Sequence, residues 1–160
     1  MEFTEENKKE IQGILKKYPE GAVGRQAALL PVLHLTQKQF GYVSGEGIQL
    51  VARTLDLSEA HVFGVATFYS MYHKKPVGKY HLQVCVNLSC CMEGSEKILC
   101  HLKERLGIEA GEKTTDGRFS LEEVECLASC GSGPVIQVNE TYHENIKTPE
   151  KVDELLESLK

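Results

Sequence analysis

Lys79-Tyr-His-Leu-Gln-Val-Cys85-Val-Asn-Leu-Ser-Cys90 is the stretch at which the hydrophobic period of the chain changes. Tyr80, Leu82 and Val84 alternate with their neighbours, so Lys79–Cys85 reads as a strand with one face turned to a core. Cys85 stands at the end of that strand and Cys90 in the loop after it, a C-x4-C pair. Downstream, Phe119, Leu121 and Val124 mark a second strand, followed by Cys126-Leu-Ala-Ser-Cys130, a C-x3-C pair. One sheet can bring both strand-end loops to the same edge. Four thiolates meeting in a loop pocket suit an iron–sulfur cluster or a zinc ion. Gly131, Ser132 and Gly133 would let the chain approach such a group closely.

The remaining elements follow outward from this stretch. Gly94 to Leu106 reads as a helix with Ile98, Leu99, Leu102 and Leu106 inward, stopped by Gly107. Thr115-Asp116-Gly117 is a turn. Pro134–Val138 is a third strand, and a fourth around Tyr142–Ile146 pairs back after a turn near Asn139-Glu140. Thr148 and Pro149 open a last helix whose stripe is Val152, Leu155, Leu156 and Leu159. The order is β-α-β-β-β-α, a small α/β sandwich. The chain before Lys79 is helical in pattern. Thr4 caps a helix over Glu5–Tyr18, ended by Pro19 and Gly21. A second runs from about Arg25 to Phe40, with Leu29, Leu30, Leu33 and Phe40 on or near one face and Pro31 as a kink or boundary. Ser44 opens a third, and Ser58 caps a fourth from Glu59 toward Met71. The fold class is therefore α+β: a helical bundle over residues 1–73, a linker over 74–79 containing Pro76 and Gly78, and an α/β domain over 80–160.

Composition limits the function classes. With 160 residues there is one domain or two small ones, and 41% hydrophobic with 26% charged residues is an ordinary globular composition. No apolar stretch reaches the ~18 residues needed to span a bilayer, and Met1–Glu10 is too polar to be the apolar core of a secretory signal. The net charge of −5 argues against nucleic-acid binding. The charge is uneven: residues 1–78 sum to +1 and residues 79–160 to −6. All six cysteines lie in the second half. Without an export signal the expected compartment is reducing, where disulfide frameworks are rare, so the weight moves to metal or redox chemistry. Cys100, beside Leu99 and Leu102, reads as a buried thiol. Cys91 adjoins Cys90, and either could be a ligand. There is no C-x-x-C exchange motif. His34, His61 and His73 have no metal-ligand spacing. Phe63, Phe68, Tyr69, Met71 and Tyr72 crowd one segment, expected as bundle core, with a partner-facing apolar face as the alternative. No Gly-rich dinucleotide fingerprint follows a strand, so nicotinamide and flavin would need another chain.

Gly64-Val-Ala-Thr-Phe-Tyr69, Leu29-Leu-Pro-Val-Leu-His34, Gly41-Tyr-Val43 and the two cysteine pairs resemble the [2Fe–2S] subunit family of respiratory NADH:quinone oxidoreductase (complex I), and equally its relatives in NAD(P)-linked hydrogenases and formate dehydrogenases. The resemblance runs from about Ile11 to Leu159. It implies a helical N-terminal part and a thioredoxin-like C-terminal domain with one [2Fe–2S] cluster. By position it implies Cys85, Cys90, Cys126 and Cys130 as ligands, and no catalytic residue on this chain. The stretch after Cys130, Gly131-Ser-Gly-Pro134, departs from the family's usual Ala-Pro ending, as does a cysteine at position 91. The resemblance further implies single-electron exchange with the FMN of a partner NADH-oxidising subunit, against which this chain packs as part of an NADH dehydrogenase. Its expected place is cytoplasmic, peripheral on the cytoplasmic side of the inner membrane, with no membrane span and no nucleic acid. A structural zinc-thiolate module and a free-standing ferredoxin are the competing readings.

Overall fold

A computed structural model of the chain describes residues 1–159. It divides into two compact units, Met1–Pro76 and the chain from Val77 on.

The first unit is helical: α1 (Glu5–Leu15), α2 (Ala22–Ala27), α3 (Leu29–Phe40), α4 (Gly45–Leu55) and α5 (Glu59–Phe68). Three of these begin on a side-chain cap. Thr4, Ser44 and Ser58 accept the amides of Asn7, Gly47 and His61 at 3.1–3.2 Å, each satisfying one orphan donor of the first turn. The helix count is five, not four. The stretch from about Arg25 to Phe40 is two helices meeting at Ala28, three residues before Pro31. Pro31 then lies in the first turn of α3, where its missing N–H forfeits no hydrogen bond. α1 stops at Leu15 rather than Tyr18. The amides of Lys17 and Tyr18 bond three residues back, tightening its last turn. The core of this unit gathers Ile11, Leu29, Val32, Leu33, Val51, Leu55, Val62 and Tyr72, and Leu30 points outward. Tyr72 is 1% exposed, and its hydroxyl donates to the Leu30 carbonyl at 2.8 Å.

The second unit is built on a four-stranded sheet in the order β2-β1-β3-β4, with β1 (Tyr80–Cys85), β2 (Phe119–Val124), β3 (Ile136–Val138) and β4 (Thr141–His143). β1 and β2 are parallel, joined through α6 (Leu88–Met92) and α7 (Ser95–Leu106). β3 is antiparallel to β1, and β4 to β3. α8 (Pro149–Ser158) follows β4. Leu82 pairs with Leu121 and with Val138, setting one apolar face that packs with Ile98, Leu99 and Leu102 of α7 and Val152 and Leu155 of α8. The opposite face is polar at its centre. His81 lies between Ser120 Oγ (2.8 Å from Nδ1) and Glu122 Oε2 (3.0 Å from Nε2). Strand register places Cys85 beside Val124 at the C-terminal end of the parallel pair. Both cysteine loops leave the sheet from that end.

Candidate metal centre

Cys85 ends β1 and Cys90 lies within α6, a five-residue helix rather than the expected loop. Asn87 opens that turn, its side chain accepting the Leu88 amide at 2.7 Å. The helical turn carries Cys90 inward. Cys85 and Cys90 are buried with Val124, Leu127 and Val135 in a small apolar cluster separate from the main core. Cys126 and Cys130 follow β2 on a loop that ends in a single 3₁₀ turn, Cys130–Ser132, and both are exposed. The site is thus half sealed and half open.

Two backbone amides reach sulfur. Ala128, held at φ +56°, donates to Cys126 Sγ at 3.2 Å, and Val135 donates to Cys90. Burial, then a thiol hydrogen bond with Cys85, pushes the Cys90 thiol up to about 11, and the negative potential of Cys85 and Cys130 adds to this against the Val135 amide. Cys90 thus lies within electrostatic reach of Cys85, at the end of β1, and of Cys130 on the other loop. Gly133 shows why the loop is tight: a Cβ there would sit 3.2 Å from Cys90 Sγ and 3.5 Å from its Cα. Four thiols on two loops, amides aimed at sulfur and a glycine wall fit a thiolate-bound cluster.

Cys91 and Cys90 part company. Cys91 is half-buried on the outer side of α6, with its Sγ 3.5 Å from Glu96 Oε1, which raises its thiol pKa. Cys100 is exposed, correcting its expected burial. α7 presents Ile98, Leu99 and Leu102 to the core, and position 100 falls on the opposite side of the helix. The crowded aromatic segment is likewise not bundle core. Phe63, Phe68, Tyr69 and Met71 are exposed, Phe68 by 80%, and only Tyr72 is buried. α5 is apolar on every side, so its sequence does not mark which side faces inward. Ser129 and Glu144 have no role in the sequence reading and Ser132 only one in close approach of the loop, yet the three are joined by hydrogen bonds around Cys130. A serine on each side of a candidate ligand is the only signal they left.

The family described as thioredoxin-like [2Fe-2S] ferredoxin matches residues 11–160. The chain is 41% identical over 153 residues to an NADH-quinone oxidoreductase subunit of Rhizobium meliloti, covering 96% of this chain and 88% of the relative. It is 42% identical over 159 residues to the corresponding NADH-quinone oxidoreductase subunit of Rickettsia bellii, covering 99% and 93%. It is 42% identical to NADH-quinone oxidoreductase subunit 2 of Thermus thermophilus, covering 100% and 87%. Among solved structures, the air-oxidized NAD+-reducing [NiFe]-hydrogenase superposes with a TM-score of 0.68 at 16% identity, over 80% of this chain and 22% of that one. At that identity the likeness is one of fold.

Proposed function

The chain belongs to the thioredoxin-like [2Fe–2S] ferredoxin family, and from that premise we propose that it is an electron-transfer subunit of an NADH:quinone oxidoreductase, with one [2Fe–2S] cluster on Cys85, Cys90, Cys126 and Cys130. The observation that carries the ligand assignment is the convergence of two cysteine loops at the C-terminal end of one parallel strand pair. Relatives matched over nearly the whole chain at 41–42% identity support the quinone reductase over the hydrogenase, whose resemblance is of fold at 16% identity.

When bound, the cluster supplies one-electron chemistry on thiolate-ligated iron. The rest is the work of this chain's residues. Val124, Leu127 and Val135 exclude water from Cys85 and Cys90. The Ala128 amide donates to Cys126 Sγ, and the Val135 amide opposes in part the rise that burial imposes on the Cys90 thiol. Cys90 keeps its proton at neutral pH until a metal displaces it.

NADH and FMN are assigned to a partner flavin subunit, because the sequence carries no dinucleotide fingerprint of its own. The helical unit is the docking element in this reading, with Phe63, Phe68, Tyr69 and Met71 as its exposed apolar contacts. Among the described residues no helix is long and apolar enough to cross a membrane, and the proposed place is peripheral, on the cytoplasmic side of the inner membrane.

The test is chemical. Protein purified without oxygen should contain two iron atoms and two acid-labile sulfides per chain, and should co-elute with the flavin-binding partner when the two are produced together. Zinc with no sulfide would replace this reading by a structural module. Iron and sulfide without co-elution would leave a free-standing ferredoxin.

A further inference from the structure

The loop carrying Cys126 and Cys130 is exposed, yet it is tied down from behind by a segment outside both cysteine motifs. Glu144 follows β4, and its Oε1 accepts hydrogen bonds from the hydroxyls of Ser129 and Ser132, the latter at 2.5 Å. The two serine oxygens are themselves 2.8 Å apart. Ser132 Oγ also lies 3.3 Å from the Ser129 carbonyl oxygen, and Glu144 Oε1 is the one acceptor that both hydroxyls share. The backbone repeats the connection. The Asn145 amide donates to the Ser132 carbonyl at 2.7 Å, and the Ile146 amide to the Pro134 carbonyl at 3.0 Å. Ile146 is buried in the main core of the unit, so the segment is anchored at its far end. Ser129 and Ser132 flank Cys130 on its 3₁₀ turn. The carboxylate therefore grips the turn on either side of one sulfur.

We propose that Glu144 is a positioning residue for the second cysteine pair: it holds the Ser129–Ser132 turn so that Cys130 is presented to the cluster, and it keeps a negative charge beside that cluster. The inference rests on the cluster reading above. The ligand chemistry belongs to the cysteines, and the carboxylate acts through the two serines.

The experiment compares wild type with Glu144→Ala, Glu144→Gln and Glu140→Gln. Glu140 is an exposed carboxylate in the β3–β4 turn, so its variant alters net charge equally. Three readouts are taken: cluster loss under excess chelator, midpoint potential by EPR redox titration, and amide exchange of Ser132 and Asn145 in metal-free protein. Glu144→Ala should lose its cluster about threefold to tenfold faster, as expected for a solvent-exposed charged hydrogen bond. Glu144→Gln keeps the accepting oxygen and should stay within about twofold of wild type. Both should have a higher midpoint potential than wild type and than Glu140→Gln, since a lost negative charge eases reduction. A merely structural role would not move the potential of Glu144→Gln. Wild-type loss rate and potential in Glu144→Ala would overturn the proposal, as would a Glu144→Gln protein that loses its cluster as fast as Glu144→Ala. Wild type without iron and sulfide would instead defeat the cluster reading. Exchange in metal-free protein still decides the clamp: faster in Glu144→Ala supports it, and unchanged exchange contradicts it.

Discussion

Cys90 and Cys91 are adjacent thiols with opposite surroundings, one sealed against Val135 and Gly133 and the other beside the Glu96 carboxylate. Their variants should separate cleanly. Cys85→Ser, Cys90→Ser, Cys126→Ser and Cys130→Ser should each lose most bound iron and sulfide, whereas Cys91→Ser and Cys100→Ser should keep wild-type amounts. Iron and sulfide assays on the six proteins check this, and a bleached Cys91→Ser with an intact Cys90→Ser would reverse the assignment. The raised pKa of Cys90 has its own consequence. Thiolate is the ligating form, so metal-free protein must release that proton on binding a probe such as Co²⁺. Below about pH 11 displacement of the Cys90 proton alone should lower apparent affinity by about tenfold per pH unit as pH falls. A Co²⁺ titration at several pH values reads the slope, and the same slope in Cys90→Ser as in wild type would show that Cys90 is not a ligand. The choice between Cys90 and Cys91 could not be made from adjacency alone. It depends on the turn of α6, a helix too short to leave a periodic pattern.

At the scale of elements, the N-terminal caps were the most legible features, because each is a local hydrogen bond. Thr4, Ser44 and Ser58 start helices where a short polar side chain precedes an apolar run. Ser58→Ala should lower unfolding free energy by about 1 kcal/mol, measured by urea melts, through loss of its bond to the His61 amide. A change under about 0.3 kcal/mol would mean that water replaces the cap fully. The strand pair and the two cysteine spacings were readable from period and pattern, though the segment holding Cys90 folds as a short helix and not as a loop. The break at Ala28 was not placed, since a proline signals a boundary within the preceding turn without naming the residue. The left-handed Asp56 that ends α4 carries no glycine to announce it. The orientation of α5 was lost for a different reason. Apolar residues on all sides erase the moment that tells inside from outside.

In the proposed role the two units of the molecule divide two tasks. The unit from Val77 on gathers all six cysteines and all of the excess negative charge, and the helical unit exposes a run of large apolar side chains. Phe68 tests that division. Phe68→Ser removes a ring that is 80% exposed and should change stability by no more than about 0.5 kcal/mol, as surface substitutions do. In the proposed role it should weaken association with the flavin subunit by tenfold or more, the effect of losing an interface anchor worth at least about 1.4 kcal/mol. Thermal melts and titration calorimetry separate the two effects. A destabilised variant that binds normally would return Phe68 to the bundle core. Association cannot be read from charge patterning in a single chain, because the partner's surface is not in it.

The most direct measurement is the EPR spectrum of anaerobically purified protein reduced with dithionite. The account predicts a rhombic S = ½ signal from one [2Fe–2S] centre, integrating to one spin per chain. A silent sample that contains zinc and no acid-labile sulfide would contradict it.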